Sequence, residues 1–257
     1  ERISKLKGRD SHKVVSYGFG KQAQVKAGKT RISYKKGRPA GLFFELSEGA
    51  DRSSVKLKNV LGKHHIYVAL ATYSAVSGVD IQKSVVLDAL SDYIPPAGRL
   101  RLVEGIKNSV IIDDSYNSSP IAVLAGLETL KRIKTKGKKI AVLGDMLELG
   151  KYTVDAHKTI GLAAGKISDL LLVVGPRSQY IIEGALDGGL SEKNIIEFND
   201  SREAGKYLER KLKEDDIVFV KGSQIMRMER AVEEIMLHPE NKSRVLARQG
   251  VEWSDVA

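Results

Sequence analysis

The sequence predicts an α/β protein in two parts: a β-rich and then helical segment, followed by a mostly parallel sheet flanked by helices. Three observations carry this. Beyond residue 98, short apolar runs alternate with stretches of helical period, the pattern of strand–helix–strand units joined by right-handed crossovers. Before about residue 60 there are only short strand-like runs split by Gly, Lys and Asp, as in a small antiparallel sheet. Between the two parts, Pro95-Pro96-Ala97-Gly98 interrupts periodic segments on both sides, and two prolines with a glycine mark a hinge.

In the first part the strand-like runs are Val14–Tyr17, Thr30–Tyr34, Leu42–Leu46 and Ser54–Leu57. Gly28-Lys29-Thr30 looks like the end of a phosphate-binding loop, but that pattern needs a glycine where Ala23 stands and a helix afterwards. A hairpin turn is the expectation there. From Gly62 the period changes: Ile66, Ala69, Leu70, Tyr73 and Val76 recur at helical spacing, and a second helix is expected from about Asp80 to Tyr93.

After the hinge, strands are expected at Leu100–Val103, Val110–Asp113, Ile140–Leu143, Leu170–Val174, Asn194–Phe198 and Ile217–Val220. Helices are expected at 120–133, 153–166, 177–186, 202–213 and 224–237. The domain boundaries that follow are 1–97, 98–238 and a polar tail over 239–257, which packs as a short helix or stays mobile.

Composition narrows the function. At 42% hydrophobic and 29% charged, the 257 residues have material for proper cores. No run approaches the ~20 apolar residues of a membrane span. Cysteine is absent, which excludes disulfides and thiolate metal sites and suits the cytoplasm. A net charge of +10 favours anionic ligands. Aromatic residues are scarce and not interleaved with the basic ones, which argues against a nucleic-acid-binding platform. Glu1 is not an initiator methionine, and a piece of a longer chain is expected.

Three stretches carry candidate chemistry. Asp113-Asp114-Ser115-Tyr116-Asn117 follows an apolar run, at the strand end where open α/β sheets place ligands; its carboxylates could hold a ribose hydroxyl or a hydrated Mg2+, and one of the pair is expected to be structural. Gly144-Asp145-Met146-Leu147-Glu148-Leu149-Gly150 lacks the glycine spacing of a dinucleotide turn. Lys221-Gly222-Ser223 joins a strand to an expected helix; Ser223 could cap that helix, and with Lys221 and Arg227 nearby the turn suits a carboxylate or phosphate. His64-His65 has no ligand partner one helical turn away, at Val68, so no metal site is expected.

Taken with Gly62-Lys63-His64-His65, Ala69-Leu70-Ala71, Gly98-Arg99-Leu100 and Met226-Arg227-Met228-Glu229, these blocks resemble the Mur ligases of peptidoglycan synthesis. Within that family they are most similar to the branch that adds D-alanyl-D-alanine to a UDP-N-acetylmuramoyl-tripeptide. The resemblance implies the end of a central ATPase domain followed by a whole Rossmann-like C-terminal domain, without the phosphate loop that turnover needs. It implies ATP and Mg2+ as cofactors, with the Mg2+ ligands mainly outside these residues, and a cytoplasmic monomer with no nucleic-acid partner. ATP would convert the peptide carboxylate into an acyl phosphate, which the amine of the dipeptide attacks.

By the same resemblance, Arg99 and Asp114 would be catalytic, facing ATP phosphates and ribose. His65, Tyr116 and Asn117 would join them around the nucleotide, and Lys221, Ser223 and Arg227 would hold the dipeptide's carboxylate. His65, Val68 and Ser119 stand where the family favours asparagine, which implies weakened or rearranged adenine recognition. A different class of reading is a non-catalytic module that keeps the fold and binds a metabolite or partner.

Overall fold

The computed structural model describes residues 14–76, 79 and 81–253, and these form two compact units. One comprises the described residues up to Ser33 with Leu42–Lys58 and Lys63–Tyr93; the other comprises Tyr34–Gly41, Asn59–Gly62 and everything from Ile94 onward. No described helix is long and apolar enough to cross a membrane.

The first four strands, β1 (Tyr17–Gly18), β2 (Val25–Lys35), β3 (Arg38–Glu48) and β4 (Asp51–Lys58), lie side by side in that order. Lys36-Gly37, both at positive φ, make the two-residue turn between β2 and β3, as tight hairpins require. The expected sheet is corrected in two respects. β1 is only two residues long and pairs parallel to β2. Gly28-Lys29-Thr30 lies inside β2 and not at its end; Lys29, at φ 46°, gives the strand a local kink. In the first unit the helix α1 (Lys63–Val76) packs near β1, and α2 (Lys83–Ser91) on β4. Asp80, where the second helix was expected to start, lies outside the described residues.

The second unit is built on a six-stranded sheet ordered β5-β6-β10-β7-β8-β9. These strands are β5 (Arg101–Glu104), β6 (Val110–Asp113), β7 (Lys139–Gly144), β8 (Leu170–Val174), β9 (Ile195–Phe198) and β10 (Ile217–Lys221). All neighbours are parallel except β5, which runs antiparallel to β6. β6 and β10 are buried along their whole length, which a strand with helices on both faces requires and a continuous apolar run permits.

The covering helices are α3 (Pro120–Arg132), α4 (Thr153–Gly165), α5 (Ser178–Asp187), α6 (Ser201–Lys211), α7 (Glu229–Ile235) and the short α8 (Lys242–Val245). α3 begins with an extended Ser119 and Pro120 at its first turn, where proline's missing N–H is harmless. Asp200 caps α6 by accepting from the N–H groups of Arg202 and Glu203. Val142, Leu172, Val218 and Val220 form one core with Ala204 and Leu208 of α6 and Val232 and Ile235 of α7.

Of the two expectations for the tail, packing with a short helix is what the structure has. Residues 239–253 pack on the second unit, with Leu246 inside that core; only 254–257 fall outside the described residues.

α4 and α5 cross closely because glycines line their contact. A Cβ built on Gly161 would overlap the carbonyl oxygen of Ile181, and one on Gly184 that of Lys158. Backbone cannot rotate away as a side chain does, so the helices would have to separate. We expect Gly184→Ala to lower stability by about 1–3 kcal/mol and the melting temperature with it. An unchanged calorimetric melt would refute the close crossing.

Candidate functional site

The parallel register of β6 and β10 pairs Val220 with Asp113, so the next residues of both strands, Asp114 and Lys221, leave the carboxyl edge of the sheet together. Lys221 Nζ lies 2.6 Å from Asp114 Oδ2, with the two side chains only 2% and 8% exposed. The ammonium also donates to the carbonyl of Asn117 at 2.8 Å, which fixes the turn after β6. Burial pushes the Asp114 carboxyl up to about 6 from its ordinary 3.8, against the lowering pull of Lys221. Burial also raises Asp113, against the N–H groups that it accepts.

Both carboxylates are occupied with backbone. Asp113 Oδ2 accepts the N–H of Gly98 at 3.1 Å, and Asp114 Oδ1 accepts that of Leu100 at 3.2 Å. Arg99 is therefore gripped on either side. Gly98 is at φ +65°, and a Cβ there would meet the backbone nitrogen of Tyr116 at 2.7 Å, so only glycine fits. Leu100 is left-handed too, at φ 51°, a strain of roughly 1–2 kcal/mol that the Asp114 hydrogen bond holds in place. Arg99 and Tyr116 are exposed, with the guanidinium 4.2 Å from the ring centroid.

Beside this pair opens a cavity of about 400 Å³, lined among others by Asn117, Ser118, Leu147, Ser223, Ile225 and Trp253. Ser223 is nearly buried; its hydroxyl accepts the N–H of Leu147 at 2.9 Å and its own N–H donates to the carbonyl of Asp145. The 144–150 turn is held from within. Asp145, fully buried, accepts the backbone N–H and the guanidinium of Arg177 at 3.2 Å. His157 Nε2 accepts the N–H of Met146 at 2.9 Å, so its proton is on Nδ1, which donates to the carbonyl of Thr153 at 2.7 Å.

Several expectations are corrected here. The helix expected over 224–237 is broken: Gln224–Met226 form a 3-10 turn, Arg227 is left-handed at φ 48°, and α7 starts only at Glu229. Ser223 makes no side-chain cap. Lys221 faces Asp114 instead of the cavity, and Arg227 pairs with Glu229 at 2.6 Å, so Lys221, Ser223 and Arg227 do not form one anion cradle. Asp114 already accepts from Lys221 and from the N–H of Leu100. His65, in the first unit, is 2% exposed with Nδ1 3.0 Å from the Tyr93 hydroxyl, a packing position.

Arg177, His157 and Arg248 escaped the sequence reading, and Glu229 entered it only as part of a motif block. Their partners lie far away in the chain or in turns of irregular backbone, where spacing carries no signal.

Residues 98–224 match the family described as Mur ligase, glutamate ligase domain. Across these residues the chain is similar to the Mur ligases. Among its Mur ligase relatives is the UDP-N-acetylmuramoyl-tripeptide--D-alanyl-D-alanine ligase of Bacillus subtilis, 29% identical over 182 residues, covering 70% of this chain and 39% of that protein. The ligase of the same name from Buchnera aphidicola (subspecies Baizongia pistaciae) is 27% identical over 230 residues, covering 88% and 46%. The chain thus spans less than half the length of these relatives. In structure it is similar to MurF from Thermotoga maritima solved in complex with ADP, with a TM-score of 0.68 at 25% identity, covering 89% of this chain and 49% of that one. MurF from Acinetobacter baumannii shares the fold with a TM-score of 0.74 at 23% identity, covering 90% and 48%.

Two outcomes test the buried pair. Lys221→Met strips the counter-charge from a buried carboxylate and should cost about 3–5 kcal/mol in denaturant unfolding; a loss below 1 kcal/mol would mean that the pair is open to water. Because the folded Asp114 holds its proton to about pH 6, its contribution to stability is complete below pH 3.8 and declines as pH rises through 6. The Asp114 carboxyl carbon should titrate near 6 by NMR, and an inflection near 4 would contradict its burial.

Proposed function

We propose that the chain is the acceptor-side part of an ATP-dependent amide-forming ligase that joins D-alanyl-D-alanine to a UDP-N-acetylmuramoyl-tripeptide. The observation that carries this reading is the cavity at the carboxyl edge of the sheet, in a chain whose Mur ligase relatives bear that name. Ser223, Asn117 and Gln224 offer hydroxyl and amide groups that suit the amide and carboxylate of a dipeptide, while Leu147 and Ile225 suit its methyl groups.

Arg99 is the group that would meet nucleotide phosphates. Asp113 and Asp114 hold the backbone on either side of it, so the cation needs little reorganisation when charge develops on the phosphates. Asp114 acts in this reading as a positioning residue. Tyr116 presents an exposed ring and Asn117 an exposed amide next to that cation, suited to a nucleotide's base or sugar.

Bound Mg2+ would shield the phosphates. Among the described residues no group of three or more His, Cys, Asp or Glu is placed to hold a metal ion. The 257 residues contain no Gly-x-x-Gly-Lys-Thr/Ser block, so this polypeptide alone should not turn over. A cytoplasmic monomer goes with this reading.

Calorimetry on the 257-residue chain tests it. D-alanyl-D-alanine should bind, and Ser223→Ala, which removes one hydrogen-bonding group, should weaken it about five- to tenfold. Absence of heat with the dipeptide and with MgATP would favour a non-catalytic module. Brisk ATP hydrolysis lost in Asp114→Asn would overturn the inactivity of the chain by itself.

A further inference from the structure

Trp253, the single tryptophan of the sequence, lines the same cavity as Ser223 and Asn117. It arrives on a segment that the strand–helix alternation does not require. Beyond α8, Leu246 enters the core, and Arg248 then turns left-handed at φ 55°. Its guanidinium donates to Glu229 Oε2 at 2.8 Å, to the carbonyl of Ser115 at 3.3 Å and to that of Tyr116. One side chain thus ties the segment both to α7 and to the turn after β6.

Arg227 supplies a second tie. It donates to the carbonyl of Trp253 at 2.8 Å and to Glu229 Oε1 at 2.6 Å. Glu229, 1% exposed, accepts both guanidinium groups, and these lie 5.5 and 5.7 Å from the Trp253 ring centroid. Here two arginine side chains are committed to a stretch of which Leu246 and Ala247 are buried, and the residue that they hold faces the cavity.

We propose that Trp253 is a specificity-determining wall of the acceptor pocket and that Arg248 is the positioning residue that holds it. This rests on the acceptor reading of the cavity given above. The ligand class is a short peptide with a free amine and carboxylate. The indole would cover its small apolar side chains, and the triad of two guanidiniums and one carboxylate, net positive, would favour its carboxylate end over its amine end.

The indole itself reports the outcome, because no other tryptophan contributes to the emission. D-Alanyl-D-alanine added to the 257-residue chain should shift that emission and saturate at the calorimetric Kd. Trp253→Ala should weaken binding about three- to tenfold, and Trp253→Phe should restore most of it. Arg248→Ala should weaken binding too, with a red-shifted emission before ligand is added.

Calorimetric binding that is equally tight in Trp253→Ala, with static emission in the parent chain, would overturn the wall and leave the acceptor site standing. Binding in no variant, the parent chain included, would overturn both. An Arg248→Ala protein that melts earlier but binds as before would overturn the positioning role.

Discussion

A lysine and an aspartate, both out of water at the tips of neighbouring parallel strands, hold the candidate site together. Removing two charges from water is expensive, and their attraction offsets this only when the remaining donors and acceptors are also satisfied. That condition is met by backbone. Asn117 gives its carbonyl to the lysine and Leu100 its N–H to the aspartate, so the same few contacts fix the turn after β6 and the strand that follows the prolines. The pair therefore organises the loops around it. What remains exposed, chiefly Arg99, Tyr116 and Asn117, stands on a frame with little freedom to adjust.

Much of the architecture was legible because period and burial agree. The apolar runs Val110–Asp113, Leu170–Val174 and Ile217–Val220 appear as strands within a residue of where they were expected. Strands covered on both faces have to be apolar throughout, and few other elements so short are. Pro95-Pro96 lies just past Tyr93–Ile94, one of several points at which the chain passes between the two units.

Legibility failed where backbone leaves the regular regions. Arg227 turns left-handed, splits an otherwise periodic helix and faces Glu229 and Trp253, partners that its local spacing does not announce. Lys221, Ser223 and Arg227 are neighbours in sequence, yet a strand end, a turn and a left-handed residue send their side chains to different surroundings. The two aspartates looked like ligand groups because polar residues at a strand end usually face water. Here the Pro95–Leu100 stretch covers them, and a covering segment cannot be read from the residues that it covers. The Gly28-Lys29-Thr30 stretch lies inside a strand and not in the expected turn, since one left-handed residue does not end the strand.

Among the described residues β10 is the last strand in chain order, yet it lies between β6 and β7, which come well before it in the sequence. On a ribosome the earlier strands would emerge with a gap between them, unable to bond to each other, until this central piece appears. Pairings across so much chain are slow to find. The nascent polypeptide would therefore carry unsatisfied strand edges until β10 emerges, and a premature stop between β7 and Lys221 would leave β6 and β7 without the strand that joins them. For a shortened gene product of this kind, proteolysis or capture by chaperones is the natural fate.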